Sequence, residues 1–144
     1  LRTTLITGFP GETEEDHQIL LDFIDEMEFD RLGVFTYSPE EDTKAASLDN
    51  QVDEEVKLCR KDEIMELQQE ISMDKSERLV GKEIEVIIEG KASDEDVYVG
   101  RSYMDAPSVD GYVFINNEEE LMSGDFAKVR IVKAMEYDLI GDLI

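Results

Sequence analysis

The stretch Gly100-Arg101-Ser102-Tyr103-Met104-Asp105-Ala106-Pro107-Ser108-Val109-Asp110-Gly111 sets the fold expected for the second half of the chain. It is rich in Pro, Asp and Gly, which is typical of a turn between two strands. Apolar residues alternate with others before it, at 84–88 and 97–99, and short apolar runs follow it at 112–114 and 126–131. Short strands separated by Gly, Asp and Asn predict an all-β module, a small closed antiparallel barrel of about five strands.

The first part of the chain predicts a different architecture. The β-branched run Thr3–Thr7 indicates a strand, which Gly8 to Gly11 end, and Arg31 to Thr36 indicates a second buried strand. Between the two strands, apolar residues recur at helical spacing and predict a helix. They are Ile19, Leu20, Phe23, Ile24 and Met27. Strand, helix and strand within about 35 residues predict a βαβ unit with parallel strands.

One long helix should follow, from Val52 to about Lys75. Its apolar side would be marked by Val52, Val56, Cys59, Ile64, Leu67 and Ile71. The chain therefore reads as α/β followed by all-β, with two domains, 1–76 and 77–144. Because the sequence begins inside an apolar, strand-like run, we expect it to be a fragment of a longer protein.

Acidity is the strongest feature of the composition. The formal net charge is −23, of which residues 1–76 contribute −14 and residues 77–144 contribute −9. Such a surface repels phosphate backbones and attracts basic proteins. The single cysteine fits a reducing cytoplasm, and no apolar run approaches the roughly 20 residues that span a bilayer. We therefore expect a cytoplasmic monomer that binds neither membrane nor nucleic acid directly.

The sequence offers little material for a metal site. Cys59 is the only thiol and is expected to be a small core residue, and His17 is expected to lie at the surface. The acidic runs lack the spacing of a calcium loop and suit a solvated face. No metal ligands and no catalytic residues are expected within this chain.

Three motifs carry a family resemblance. The 100–111 stretch, Gly8-Phe9-Pro10-Gly11-Glu12-Thr13 and the run from Arg31 to Glu41 resemble, in order and spacing, RimO-type methylthiotransferases. These radical-SAM enzymes methylthiolate the β-carbon of an aspartate in a small-subunit ribosomal protein of the S12 type. The resemblance implies that 1–76 is the last part of a radical-SAM (partial TIM-type) barrel. It also implies that 77–144 is an OB-like TRAM domain.

The same resemblance implies the cofactors and the site residues. The parent enzyme would use S-adenosylmethionine and two [4Fe-4S] clusters whose ligands lie outside this chain, so the chain alone should be inactive. Gly8, Phe9, Pro10 and Gly11 would lie beside the adenosyl group, whereas Glu12 stands one position later than the family motif has it and inherits no role. The residues expected to bind substrate are Tyr37, Glu40, Arg101, Tyr103, Asp105 and Asp110.

Two alternatives remain open at this point. A tRNA-modifying methylthiotransferase of the MiaB type shares the Gly-Phe-Pro-Gly-Glu run and a TRAM domain, and a stand-alone TRAM binding module would have no enzymatic parent. The net charge of −9 on residues 77–144 favours a basic small-subunit ribosomal protein over RNA as the partner. A lone βαβ segment argues against the stand-alone module, because parallel sheets need covering on both faces.

Overall fold

The computed structural model describes residues 1–92, 96–105, 111–117, 120–135 and 137–144. The chain divides into two compact units, Leu1–Ile71 and Ser72–Ile144. The domain boundary expected between residues 76 and 77 falls within a helix and stays a prediction.

The first unit contains the expected strand, helix and strand. Its elements are β1 (Arg2–Thr7), α1 (Glu14–Met27), β2 (Arg31–Thr36), a 3₁₀ turn (Ala45–Ser47) and α2 (Glu54–Leu79), which continues into the second unit. β1 and β2 pair in parallel, from Arg2 opposite Arg31 to Thr7 opposite Thr36. The predicted parallel βαβ unit is confirmed.

Hydrogen bonds between Thr13 and Asp16 fix the start of helix α1. Thr13 accepts a hydrogen bond from the Asp16 backbone N–H, and the Asp16 carboxylate accepts one from the Thr13 N–H, which forms a capping box. The helix ends at Glu28, whose φ of 46° is left-handed. Ile24 is fully buried on the side that faces the sheet.

The two-stranded sheet has one buried and one open face. Leu32 and Val34 of β2 belong to the apolar core of this unit, together with Ile24, Phe29, Ile64 and Ile71. On the other face, Ile6 and Phe35 are directly opposite each other in the register and are each 61% exposed. The alternation of side chains along a strand produces this difference.

The buried side of α2 differs from the apolar stripe that the sequence suggested. Ile64 and Ile71 are buried as expected. Cys59, however, is exposed, and the expectation that it is a core residue is wrong. The first two turns instead bury Lys57 and Arg60, which are cations with carboxylate and carbonyl partners in the first unit.

The second unit is a closed barrel of five strands. They are β3 (Glu83–Lys91), β4 (Val97–Ser102), β5 (Val113–Asn116), β6 (Phe126–Ala134) and β7 (Leu139–Leu143), in the ring order β3-β4-β5-β7-β6. Its interior holds the buried side chains Val86, Ile88, Tyr98, Val113, Ile115, Val129, Ile131 and Leu139. The predicted five-stranded barrel is confirmed.

One pair of strands departs from the antiparallel arrangement that we expected. β5 and β7 run parallel, while the other four pairs are antiparallel. The reason is parity: strand direction cannot alternate all the way round a ring with an odd number of strands. At least one parallel pair is therefore required, and it lies where β7 inserts beside β5.

Within the described ranges, no helix is both long and apolar enough to cross a membrane.

Candidate functional site

The turn after β1 has a backbone that only glycine adopts readily. Gly8 has φ +82° and Gly11 has φ +88°, both in the left-handed region. The Glu12 N–H donates to the Phe9 carbonyl oxygen at 2.9 Å, and the Gly11 N–H donates to the Asn50 carbonyl oxygen at 2.9 Å. These bonds hold the turn at the carboxyl end of β1, the edge where parallel α/β sheets place their ligand sites.

Glu12 organises this turn from inside. Its carboxylate accepts hydrogen bonds from the Gly8 N–H at 3.0 Å and from the Thr7 hydroxyl at 3.3 Å. Arg60 donates to the same carboxylate at 2.8 Å and to the Glu12 carbonyl oxygen at 3.3 Å. The spacing of Glu12 left it without a role in the sequence, and the structure gives it one in fixing the backbone of Gly8.

Arg60 also reaches the start of α1. A second guanidinium nitrogen donates to Glu14 at 2.9 Å. This hydrogen bond, together with the positive charge of Arg60, lowers the pKa of Glu14 below its ordinary value. One buried cation of α2 thus connects the turn after β1 with the first turn of α1.

Lys57 joins the turn after β1 to the loop after β2. Its side chain is buried, and its ammonium donates to the Tyr37 carbonyl oxygen at 3.0 Å and to Glu54 at 2.9 Å. The ammonium also lies 5.3 Å from the centre of the Tyr37 ring, and the Phe9 ring packs edge-on against Tyr37 with centroids 5.3 Å apart. A Cβ on Gly8 would lie 2.3 Å from the Lys57 Cγ, so this contact requires glycine.

The structure therefore brings together some of the expected residues and leaves others apart. Gly8, Phe9 and Tyr37 form one cluster, and the Tyr37 N–H donates to the Thr7 carbonyl oxygen at 2.8 Å. Glu40 lies in an exposed turn, where its carbonyl oxygen accepts from the Thr43 hydroxyl at 2.7 Å. Among the described residues, no hydrogen bond or ion pair joins Glu40 to the cluster.

Sequence reasoning missed Lys57 and Arg60. The signal that could have found them is their spacing, because cations three residues apart lie on one face of a helix. They stand on a helix that is otherwise strongly acidic, and that face meets the glycine turn.

A second set of polar residues joins α1 to α2. His17 was expected at the surface, but it is 3% exposed and its Nε2 lies 2.6 Å from a carboxylate oxygen of Glu63. The other Glu63 oxygen accepts from the Cys59 thiol at 3.7 Å, and its negative charge is the main cause that raises the pKa of that thiol. His17 is buried because it occupies the helix–helix interface, which a count of polar neighbours in sequence does not reveal. In the part of the chain that the structure describes, no three His, Cys, Asp or Glu residues are placed to hold a metal ion.

In the barrel, the residues that were expected to bind substrate differ in exposure. Arg101 donates from Nε to Glu89 at 2.8 Å and from Nη1 to the Asp105 carbonyl oxygen at 3.2 Å. Tyr103 is 83% exposed, whereas Asp105 is buried with 9% exposure. Asp110 lies outside the described residues. Tyr103 is thus exposed, Arg101 is half-buried, and Asp105 is not an exposed carboxylate.

Comparisons with known proteins agree with this architecture. The family model of the TRAM domain matches residues 80–144. Three relatives are each named ribosomal protein uS12 methylthiotransferase RimO. The protein of Lachnoclostridium phytofermentans is 55% identical over 98% of this chain, that of Pelotomaculum thermopropionicum 56% over 100%, and that of Clostridioides difficile 50% over 100%.

The chain corresponds to only part of each of these relatives. The chain spans about a third of the length of these relatives, namely 32% of the first and third and 33% of the second. The relatives are similar over the βαβ unit as well as over the barrel, so the resemblance is not confined to residues 80–144. Over its whole length the chain therefore resembles the corresponding third of the RimO methylthiotransferases, and residues 80–144 form a TRAM domain.

Proposed function

We propose that this chain is part of a radical-SAM enzyme of the cytoplasm that methylthiolates the β-carbon of an aspartate in ribosomal protein uS12. The relatives' name supplies the substrate protein and the class of transfer. The observation that carries the proposal is the cluster at the carboxyl ends of β1 and β2, where Lys57 links the Gly8 turn to Tyr37. In this proposal the turn lies beside S-adenosylmethionine and the Tyr37–Glu40 loop faces the substrate.

The cluster suits the adenosyl part of S-adenosylmethionine. Phe9 is 47% exposed and Ile6 is 61% exposed, so an apolar surface borders the open side of the turn. A nucleoside ring can pack on such side chains, while Pro10 and Gly11 continue the surface along the turn. The Gly8 N–H already donates to Glu12, so we assign Gly8 a role through shape rather than through donation.

The iron–sulfur clusters do not fit this chain. A [4Fe-4S] cluster needs three or four thiolates, and the sequence has one cysteine. The Cys59 thiol donates a hydrogen bond to Glu63. The negative charge of Glu63 raises the pKa of the thiol and disfavours the thiolate that binds iron. We therefore place both sets of cluster ligands in the rest of the parent protein.

We propose that S-adenosylmethionine, when bound, supplies both the radical that removes hydrogen from the aspartate and the methyl group. The residues of this chain would bind and orient it. Lys57 holds the turn and the Tyr37 loop at a fixed separation, and Arg60 with Glu12 fixes the backbone of the turn. Preorganisation of this kind avoids the entropic cost of ordering two loops when the ligand binds.

We propose that the TRAM domain binds uS12 as a basic protein and does not bind RNA. The support is charge: residues 77–144 carry 16 acidic and 7 basic side chains. RNA binding draws on Lys and Arg to neutralise phosphates, whereas a net charge of −9 attracts a protein rich in those residues. Among the proposed contacts, the exposure of Tyr103 and the partial exposure of Arg101 support such a role.

The direct test uses the full-length protein. After anaerobic reconstitution of its clusters, it would be incubated with S-adenosylmethionine and purified uS12, and in parallel with tRNA. Mass spectrometry of uS12 should find a methylthio group on one aspartate. Modification of the tRNA with unmodified uS12 would refute the proposed substrate.

A variant pair tests the cofactor surface. Phe9→Ala should weaken S-adenosylmethionine binding by about tenfold, the effect of losing part of the apolar area of one aromatic side chain. Phe23→Ala is the matched control, because Phe23 is 44% exposed and also packs edge-on against a second ring, that of Phe29. Gly8→Val is unsuitable, since its side chain would collide with Lys57 whether or not a ligand binds there. Equal binding by both Phe variants would remove Phe9 from the site.

A further inference from the structure

The outer surface of β3 carries an unusual sequence of side chains. Val86 and Ile88 point into the barrel and are 1% exposed. The residues between and beside them therefore face outward, namely Glu83, Glu85, Ile87 and Glu89. One apolar residue thus lies in a row of carboxylates on the outside of the barrel.

Ile87 is half-buried and lies between Phe126 of β6 and Arg101 of β4 in the register. Phe126 of β6 is directly opposite Ile87 in the register and is 70% exposed. Met122, which is 71% exposed, belongs to the turn that precedes β6, closed by a hydrogen bond of 3.0 Å from the Asp125 N–H to the Met122 carbonyl oxygen. The Ser123 hydroxyl donates to the Glu89 carbonyl oxygen at 2.9 Å and holds this turn against β3. We call Ile87, Met122 and Phe126 the apolar centre.

Charged pairs surround the apolar centre. Three carboxylates of β3 have a cation beside them on the same outer face. Glu89 is paired with Arg101, which lies opposite Ile87, Glu83 is paired with Arg130, and Glu85 lies opposite Lys128 in the register. The first two pairs have N–O distances of 2.8 Å. These six side chains are therefore neutral together, and the net charge of −9 of residues 77–144 resides on the rest of the domain.

We propose that the apolar centre is the docking point for a basic protein, an apolar side chain of which packs against Phe126. This inference rests on the proposed function, since the basic protein is the uS12 substrate proposed above. An apolar spot enclosed by compensated charges has the anatomy of an interface core with its rim. The acidic remainder of the domain attracts the basic partner, and the exposed Asp125 carboxylate, which accepts from the Met122 N–H at 3.1 Å beside the apolar centre, adds to that attraction.

Charge attraction and apolar docking should affect different rate constants of binding. Long-range charge acts mainly on the association rate, which falls as salt screens it, while buried apolar contacts act mainly on the dissociation rate. Loss of the Phe126 ring should therefore speed dissociation and leave the salt dependence of association as it was. A residue that serves only the stability of the barrel would not produce that separation.

The experiment measures binding of purified uS12 to the immobilised 144-residue chain by biolayer interferometry. It is run at about 0.01 M and about 0.1 M salt, where the Debye length is about 30 Å and about 10 Å. Phe126→Thr removes the ring and places a β-branched residue there, which also favours a strand. We expect dissociation to be about 10- to 100-fold faster, as for the loss of a buried aromatic side chain, with the ratio of the two association rates unchanged.

Two further variants make the result specific. Met122 lies in a turn outside the strands, and Met122→Ser should weaken binding in the same way. This variant keeps the test valid if circular dichroism shows that Phe126→Thr does not fold. Leu58→Ala removes a 53% exposed apolar side chain from the first unit and should bind as the wild type does.

Each other outcome counts against the inference. Wild-type binding by both Phe126→Thr and Met122→Ser would overturn it and leave the proposed function standing. If the wild-type chain binds an RNA hairpin instead, and Phe126→Thr weakens that binding, the apolar centre serves base stacking and the proposed partner falls with it. An unmodified chain that binds neither would overturn both the docking point and the partner.

Discussion

Replacing Arg60 with Met removes the guanidinium that holds Glu12 while keeping most of the apolar stem. Arg60 is 6% exposed, and its partner Glu12 is 13% exposed at the side chain. Removing one partner of a fully buried ion pair costs about 3–5 kcal/mol, and of an exposed pair about 0–1 kcal/mol. The Arg60 guanidinium lies between these limits because it also reaches Glu14, which is in solvent. Glu12 also keeps its bonds to Gly8 and Thr7. We therefore expect Arg60→Met to lower the free energy of unfolding by about 2 kcal/mol.

The assay is urea denaturation followed by circular dichroism at a helical wavelength. In the described residues the α-helices are α1 and α2, so the signal reports mainly the first unit. With a slope of about 2 kcal/mol per molar urea, the midpoint should fall by about 1 M. The double variant Arg60→Met/Glu12→Gln should be less destabilised than Arg60→Met alone, because the one carboxylate that then lacks its cation, Glu14, is solvated.

The stability of the fold should depend on pH through Glu14, because the pKa of this carboxyl group is lowered in the folded state. A carboxyl group whose pKa is lower in the folded state contributes stability above its ordinary pKa, and this contribution is lost as the pH falls through the lowered value. Arg60→Met should return the Glu14 titration, measured by NMR, to the ordinary range. A loss of less than about 0.5 kcal/mol in the single variant, or a double variant no more stable than the single one, would refute the role given to Arg60.

Gly141→Ala should destabilise the barrel by about 1–3 kcal/mol in thermal denaturation, because a Cβ there would lie 2.1 Å from a methyl carbon of β6. Gly90→Ala is the control: a Cβ on Gly90 would meet nothing within 4 Å, so its effect should be close to neutral. Equal losses in the two variants would contradict this packing. Cys59 should react slowly with a thiol reagent near neutral pH, and Glu63→Gln should speed the reaction by lowering the thiol pKa; an unchanged pH–rate profile would argue against it. Residues 77–144 expressed alone should give one cooperative thermal transition, and a disordered circular dichroism spectrum would contradict an autonomous barrel.

Local patterns were sufficient to predict most of the fold. Alternating apolar residues predicted the barrel strands, and β-branched runs on either side of a helical pattern predicted the parallel βαβ unit. That at least one pair of strands runs parallel could also have been deduced, since an odd number of strands in a ring requires it. What no local pattern gives is the position of β7 between β5 and β6, which is set by contacts distant in sequence.

The candidate site was predictable only in part. The glycines of the turn after β1 were visible in the sequence, and the structure shows the positive φ angles that require them. The phase of α2 was not predictable, because its buried side includes Lys57 and Arg60 and a hydrophobic count assigns such residues to solvent. The same error placed Cys59 inside and His17 outside. A buried cation is recognisable only once its carboxylate and carbonyl partners are brought close by folding.

The ring order of the barrel has a consequence for how quickly it folds. β3 and β4 are neighbours in sequence, as are β6 and β7, so these hairpins need only short loops to form. The ring itself closes through β3 with β6 and β5 with β7, pairings between residues roughly 25 to 50 positions apart. Closing long loops costs entropy before any contact repays it, which slows folding. β7, the last strand in the chain, is the one that completes the ring, so until it docks both β5 and β6 keep an unpaired edge open to other chains.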